Sequence, residues 1–521
     1  MRVFDFVVAG GLVADGSGGP PVRADVGIRA DKVEAVGDLA AAAAKRRVEA
    51  TDCWVMPGFV DAHIHCESRL GDEAVQLALL TQGVTTVIVG QDGLSFVGGT
   101  STTNAFIDRY FRAINGDSGP EFVSGLGVSA ALASMAQRAR TNVATLLPLG
   151  TVRANIMGFA KRCGTRSEWA LMKDAVAAGL DDGAIGVSTG LDYVPGCFAT
   201  TEELVYLCRI AKAKGAVYVT HMRGYESRAA LGIKEVEDIC GRSGVAAHVS
   251  HYHGRGDHLC ALMHGARERG ADITYDTYPY LRSSTTLAKV ALPLWVQGGT
   301  VEDVVKRLRD KSVVERLDRD WMPTITSELA GVTVSYAGVA AWSWAEGLRF
   351  NDLRESIGPG TSPAELICGM LADCDLAVGC VAAHPASNSE ADLSALMREP
   401  NHMGGSDGIY VGKAPHPRGW GTFARFLSRH TRELGDWSWS DASVHLASAA
   451  ANRFGLWRRG QVKPGYFADL CVVREGQVAD MSTYAEPRRY ATGVSQVFVN
   501  GVLVLDDGQL VDEYPGIAIT N

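Results

Sequence analysis

Eight short apolar, β-rich runs separated by helical patterns constrain this chain more than anything else in it. They cover residues 55–61, 85–90, 143–150, 184–189, 217–221, 245–251, 273–278 and 402–407. Helical periodicity lies between most of them, as over residues 201–214 and 232–242. Alternating strands and helices imply parallel pairing, because a parallel neighbour is reached only through a crossover. Eight such units predict an α/β fold of the closed, TIM-like (β/α)8 barrel type, with its chemistry at the C-terminal ends of the strands.

The two ends of the chain read differently. Near the N-terminus, short strands are broken by Gly10-Gly11 and by the turn cluster at 15–21. Near the C-terminus, residues 468–473 and 494–504 repeat the pattern around an Asn500-Gly501 hairpin turn. Neither end is long enough for its own core, so one small β-sandwich built from both is expected. The predicted organisation is a sandwich of 1–54 plus 460–521 and a barrel of 55–459. A gap of about 120 residues before the eighth run holds a helical pattern over 301–319. Insertions of that length usually carry function, and residues 285–400 are expected to form a lid over the barrel mouth.

Composition excludes several classes. The 521 residues are 46% apolar and 21% charged, an ordinary globular balance. The formal net charge is −9 and no Lys/Arg run stands out, so nucleic acid is not an expected partner. The N-terminus lacks a basic stretch followed by a long apolar one, and no apolar run approaches the ~18 residues that span a bilayer. Neither a signal peptide nor a membrane partner is expected. The 11 cysteines include no CxxC pair and read as buried thiols of a cytoplasmic protein. The sequence leaves the oligomeric state open.

Polar residues interrupt the apolar runs at their C-terminal ends. His63 and His65 stand two apart on a strand, so both imidazoles face one side and can share a metal. Asp92 follows the second run, and His221, His251 and Asp407 end the fifth, sixth and eighth. Taken singly, a strand-end histidine or aspartate is ordinarily a core or capping residue, and Asp92 before Gly93 also reads as a turn residue. Packing gives no reason for all of them to stand at the mouths of strands one, two, five, six and eight. The set predicts five metal ligands beside one acid.

With these stretches the chain resembles the metal-dependent amidohydrolase superfamily, and within it the D-aminoacylase (N-acyl-D-amino-acid deacylase) group. The resemblance rests on residues 57–65, 83–93 and 183–196, on Thr220-His221-Met222-Arg223, Tyr278-Pro279-Tyr280 and Ser406-Asp407-Gly408, and on residues 416–423 and 464–469. It implies a hydrolase that cleaves the amide bond of N-acyl-D-amino acids, small-molecule substrates, with metal-activated water. It also implies that His63 and His65 hold one metal site, that His221 and His251 hold a second, and that Asp407 handles protons. The implied cofactor is one or two divalent ions, zinc first, with Mn²⁺ or Co²⁺ as alternatives.

Departures from that pattern shape the expectations. The group is best known for a metal-bridging cysteine after strand two, where this chain has Asp92. No lysine in Gly186-Val187-Ser188-Thr189-Gly190 offers the other common bridge, so Asp92 becomes the bridging candidate. A carboxylate is harder than a thiolate and admits Mn²⁺ or Co²⁺ beside Zn²⁺. After strand six His253 replaces the group's lysine and is either a substrate contact or a solvated loop residue. Arg282 follows Tyr-Pro-Tyr, where small residues are usual, and Cys66 is expected to pack rather than bind metal. Asp407 is expected to act as general base and then acid, with Tyr278 or His253 donating to the oxyanion and Ser284 as a further substrate contact. For a substrate carboxylate Arg418 offers a bidentate fork, with a structural ion pair as its alternative, and Arg223 is the weaker candidate. The competing readings are a cyclic-amide hydrolase of the hydantoinase or dihydroorotase type and a non-catalytic scaffold. The missing strand-four lysine and the long insertion argue against the first, and the intact ligand set against the second.

Overall fold

Trp54–Pro57 and Phe59–Asp61 are all but continuous in sequence yet belong to different sheets, and that break sets the architecture. A computed structural model describes residues 3–358, 360–383 and 388–520. Met1 and Arg2 of the N-terminal stretch, and residues 359 and 384–387 of the insertion, lie outside the described residues. The run expected as one strand over 55–61 is therefore two. Trp54–Pro57 pairs antiparallel with Leu470–Val473 and parallel with Phe4–Val13, inside a nine-stranded sheet built from both ends of the chain. The turn between them is at Gly58, where a Cβ would fall 2.2 Å from Thr85 Cγ2. Only glycine lets the chain pass that close.

Strand alternation gives the terminal sheet two buried faces. Val55, Leu470, Val472 and Phe498 enter the sheet's own core, whereas Met56, Cys471, Val473, Val497 and Val499 join the main core of the barrel side. The sandwich thus docks on the barrel through every second residue of the same strands.

The barrel strands are β1 (Phe59–Asp61), β2 (Val84–Val89), β3 (Asn142–Pro148), β4 (Gly186–Gly190), β5 (Val217–His221), β6 (Ala247–Val249), β7 (Ile273–Thr277) and β8 (His402–Gly404), all parallel and adjacent in sequence order. Nearly every strand residue is buried, as expected for a parallel sheet covered on both faces. Ile88, Leu146, Ile185, Val217 and Val219 form an inner cluster, while their neighbours Val87, Leu147, Val187 and Tyr218 face the helices. Beyond β1 and β8 the ring closes through Ile64–His65, paired parallel with Gly408–Ile409. The Asp407 amide also donates to the His63 carbonyl at 2.7 Å. Helices Thr201–Ala213 and Ala229–Ser243 fall where periodicity placed them. The Thr200 hydroxyl caps the first, and left-handed Gly244 ends the second.

The insertion before β8 carries a three-stranded antiparallel sheet, Arg282–Thr286, Val378–Ala383 and Val332–Ala337, with Val378–Ala383 in the middle. The helix expected over 301–319 is two helices, Val301–Leu308 and Lys311–Asp320. Asp310 divides them, because its side chain accepts from the Ser312 amide at 2.9 Å and caps the second helix. Its first strand brings Ser283, Ser284 and Thr285 to the wall of the cavity at the barrel mouth.

Gly90, directly after β2, holds φ +77°, and a Cβ there would meet the Leu146 carbonyl oxygen at 2.3 Å. Gly90→Ala is expected to lose about 1–3 kcal/mol from backbone conformation alone. Gly369→Ala, inside helix Pro363–Asp373 with nothing within 4 Å of the added methyl, is expected to gain about 0.5–1 kcal/mol. Chemical denaturation of the two variants beside the parent checks both signs.

Candidate metal centre and active site

His221 is the last residue of β5 and continues the inward register of Val217 and Val219. His63 and His65 follow β1, and Asp92, His251 and Asp407 each lie just past the end of their strands. These three share a left-handed backbone, with φ of 55°, 37° and 49°. Outside glycine such conformations cost about 1–3 kcal/mol each and persist only where surrounding structure imposes them. The imposed turns swing all three side chains onto the barrel axis.

The six side chains meet. All are buried, none more than 6% exposed. Asp92 stands in the centre, its oxygens 3.7 Å from His63 Nε2, 3.8 Å from His65 Nε2, 3.7 Å from His221 Nδ1 and 3.8 Å from His251 Nε2. The two Nε2 atoms of His63 and His65 are 3.4 Å apart, and His221 Nδ1 lies 3.1 Å from His251 Nε2. Asp407 Oδ1 approaches His65 Nε2 at 3.5 Å and His63 Nε2 at 3.7 Å. Three trios offer ligand atoms within 4.8 Å of one another: His63-His65-Asp92, Asp92-His221-His251 and His63-His251-Asp407. Asp92 belongs to two of them, and its buried Oδ1 receives no hydrogen-bond donor. Imidazole nitrogens around an undonated carboxylate oxygen are a donor set that fits a divalent cation.

Electrostatics favour positive charge at this point. Burial alone would raise the Asp92 carboxyl, but His221 and His251 hold it well below the usual carboxylate range. Burial likewise pulls the His63 imidazole toward neutrality, yet Asp276, Asp407 and Asp92 outweigh it and lift it to about 9. Asp407 is held low, against its burial, chiefly by the charge of Arg418. Carboxylates kept ionised without water require a nearby cation.

Residues 352–505 match the model of the Amidohydrolase family. The whole chain aligns at 31% identity with a D-aminoacylase of Alcaligenes xylosoxydans, over 98% of this chain and 97% of that one. The chain belongs to the amidohydrolase superfamily, in its D-aminoacylase group. A solved N-acyl-D-glutamate deacylase of Bordetella bronchiseptica, complexed with zinc and a phosphonate inhibitor, superposes at TM-score 0.84 with 27% identity over the full length of both chains. A solved D-aminoacylase with a binuclear metal centre does so at 0.82 and 29%, covering 99% of this chain and all of that one. An L-hydantoinase of Arthrobacter aurescens shares only the fold, at TM-score 0.57 and 16% identity over 99% of this chain and all of that one.

In this member of the D-aminoacylase group a cavity of about 630 Å³ opens over the cluster. Tyr278, Ser284 and His253 line it. His253 is not a solvated loop residue: its ring stacks on Tyr225 at 5.0 Å, and Nδ1 lies 2.7 Å from the His251 carbonyl oxygen. The two arginines expected to receive a carboxylate are not among the residues that line the cavity. Arg418 is fully buried, with Nη2 2.8 Å from Asp407 Oδ2 and its guanidinium 4.5 Å over the Tyr278 ring. Nη2 also donates to the Ser284 carbonyl at 3.3 Å, while the buried Nε and Nη1 have no hydrogen-bond partner, and the residue is not among the cavity walls. Arg223 donates to the Cys197 and Ala199 carbonyls at 2.8 Å and pairs with Glu235 at 3.2 Å, which ties the loop after β5 to its neighbour. Cys66 packs in the main core, its thiol pushed up by burial.

Sequence reasoning missed the residues that hold the ligands. Asp276 on β7 takes the His251 amide at 2.9 Å, His248 Nε2 at 2.9 Å and faces His63 Nδ1 at 3.6 Å. A charged residue inside an apolar run was its signal. Asp192 meets His221 Nε2 at 3.3 Å, and it lies within a stretch that carried the family resemblance. Asn115 meets His65 Nδ1 at 3.0 Å from a helix with no visible signal. Asp61 receives the Ser406 amide at 2.8 Å across the barrel seam, and burial pushes its carboxyl up to about 7.

Partners behind the ligands fix ring orientation and ligand basicity. Asp276→Asn is therefore expected to weaken divalent-metal affinity about 10–100-fold with the fold retained. Competition of zinc-loaded protein against graded chelator measures it, and an affinity equal to the parent's removes Asp276 from the support of the site.

Proposed function

We propose that this chain hydrolyses the amide bond of N-acyl-D-amino acids, or of closely related N-acyl metabolites, with zinc as its divalent ion. The observation that carries the reading is the setting of Asp407. One oxygen faces the imidazole cluster at 3.5–3.7 Å while the other is held by a buried arginine at 2.8 Å. A carboxylate so fixed at the floor of a cavity is a general base in position. The full-length relatives support the substrate class, being named D-aminoacylase, N-acyl-D-glutamate deacylase and N-acyl-D-aspartate deacylase at 31%, 31% and 28% identity. The zinc complex of the Bordetella protein supports the metal.

In this reading His63, His65, Asp92, His221 and His251 would hold the ion or ions. The chemistry supplied by a divalent ion held there would be Lewis acidity, toward the acyl oxygen and toward the attacking water. Asp407 Oδ1 accepts the proton of the attacking water. Arg418 keeps that carboxylate ionised and stops it turning away. As the carbon–nitrogen bond breaks, Asp407 returns the proton to the nitrogen, so the amine departs neutral. The phenol of Tyr278, raised by burial, remains a donor throughout and stabilises charge developing on the acyl oxygen. Ser284 and His253 hold polar groups of the substrate against the wall. No helix among the described residues is long and apolar enough to cross a membrane. The cytoplasm is the proposed place of this work.

Hydrolysis of a panel of N-acetyl-D- and N-acetyl-L-amino acids by zinc-loaded protein tests the reading, and activity on hydantoins in place of both would overturn it. Asp407→Asn is expected to cut turnover by about 10²–10⁴-fold with metal content unchanged. Arg418→Met is expected to lower kcat by about 10²-fold through misplacement of Asp407 while KM stays near the parent's. A raised KM at normal kcat would instead return Arg418 to substrate binding.

A further inference from the structure

His248 is a fully buried imidazole that neither the ligand set nor the proposed chemistry uses. It lies in register with Val219 of β5 and Thr274 of β7, on the inward face of the barrel. A line of polar contacts leaves its ring in both directions. On one side Nε2 meets Asp276 Oδ2 at 2.9 Å, and that oxygen also faces His63 Nδ1 at 3.6 Å. On the other side Nδ1 meets the Thr274 hydroxyl at 2.9 Å, and the same hydroxyl oxygen accepts from Arg453 Nε at 2.8 Å. Arg453 ends helix Ala449–Arg453, whose Ala450 and Ala451 join the inner cluster of the barrel. Its Nη1 pairs at 2.8 Å with Asp272, which immediately precedes β7 and whose side chain is 66% exposed. The line therefore runs from solvent to a ligand imidazole.

Its two ends admit one arrangement of protons. A guanidinium only donates, so Thr274 Oγ1 accepts from Arg453 and has its own proton to give. Both Asp276 oxygens are acceptors, Oδ1 taking the His251 amide at 2.9 Å. His248 thus receives the Thr274 proton at Nδ1 and donates its own from Nε2 to Asp276. Burial lowers the His248 imidazole, in keeping with a single ring proton. When His63 Nε2 gives its lone pair to a cation, the proton that ring keeps belongs on Nδ1, which faces Asp276 Oδ2.

We infer that His248 is a positioning residue of the metal centre. With Thr274 and Arg453 behind it, it holds Asp276 so that His63 keeps its proton on Nδ1 and presents Nε2 to the ion. The inference rests on the metal-ligand role of His63 and is independent of the substrate class proposed above. Without the His248 donor, Asp276 Oδ2 becomes a buried acceptor with nothing to fix it, at a cost to whatever it supports.

The test is competition of zinc against graded chelator on full-length proteins. The variants are His248→Leu, His248→Gln, Thr274→Val, Thr274→Ser, Asp276→Asn and the double variant His248→Leu/Asp276→Asn. His248→Leu is expected to bind zinc about 10–100-fold more weakly than the parent. The amide N–H of Gln replaces the ring donor, so His248→Gln is expected to recover much of that loss. Thr274→Val, which keeps the shape and loses the hydroxyl, is expected to show a smaller loss that Thr274→Ser restores. The double variant is expected to bind no more weakly than Asp276→Asn alone, since His248 acts through Asp276. Long-range proton–nitrogen NMR of zinc-loaded, ¹⁵N-histidine-labelled parent reads the ring protons directly, with Nδ1–H expected at His63 and Nε2–H at His248. The opposite tautomer at either ring, parent-like affinity in His248→Leu, equal losses in His248→Leu and His248→Gln, or additive losses in the double variant overturns the inference. Should His248→Leu fail to fold, Thr274→Val against Thr274→Ser decides, and equal affinities overturn it. A parent that binds no zinc overturns the metal centre itself, whereas a zinc-binding parent with unaffected variants overturns this inference alone.

Discussion

A buried carboxylate surrounded by four imidazole rings is the interaction on which the rest of this structure depends. Asp92 is 3% exposed and stands at nearly the same distance from a nitrogen of each of His63, His65, His221 and His251. Removing an ionised carboxylate from water costs several kcal/mol, and only charge of opposite sign at short range offsets it. That charge must come from protonated rings or from a bound cation. The left-handed backbones of Asp92, His251 and Asp407 make sense in this light, since strain at those residues is tolerated in exchange for convergence.

The same region is where the barrel closes. The last pairing of the ring, Ile64–His65 with Gly408–Ile409, lies between the histidines of the first strand and the acid of the eighth. The amide of Asp407 bonds the carbonyl of His63, and the carboxyl of Asp61 takes the amide of Ser406. Ligands and proton acceptor are thus set relative to one another by the backbone bonds that seal the barrel. The terminal sheet reaches this seam through Trp54–Pro57, which passes directly into the first barrel strand. The insertion adds the opposite wall, bringing Ser284 and Lys289 over the metal centre.

Three basic side chains illustrate how context assigns function. Arg418 and Arg223 both stand in family-like stretches, and either guanidinium suits a carboxylate. One is buried against Asp407, and the other ties carbonyls of a neighbouring loop. Lys289, in a stretch with no motif, is the one that faces the cavity.

The residues by themselves determined the barrel, because eight apolar runs in alternation with helices have few other ways to bury their faces. They also determined the four histidines and two aspartates of the centre, since polar side chains at strand ends have no packing reason to recur in register. Local sequence could not divide residues 55–61 between two sheets, because Gly58 acts through its closeness to Thr85, a residue remote in the chain. Nor did it assign roles to Asp276, Asp192 and Asn115, because those roles lie in the distances to rings contributed by other strands. Periodicity is a property of neighbours along the chain, and the partner that accepts a proton or neutralises a charge is a property of neighbours in space.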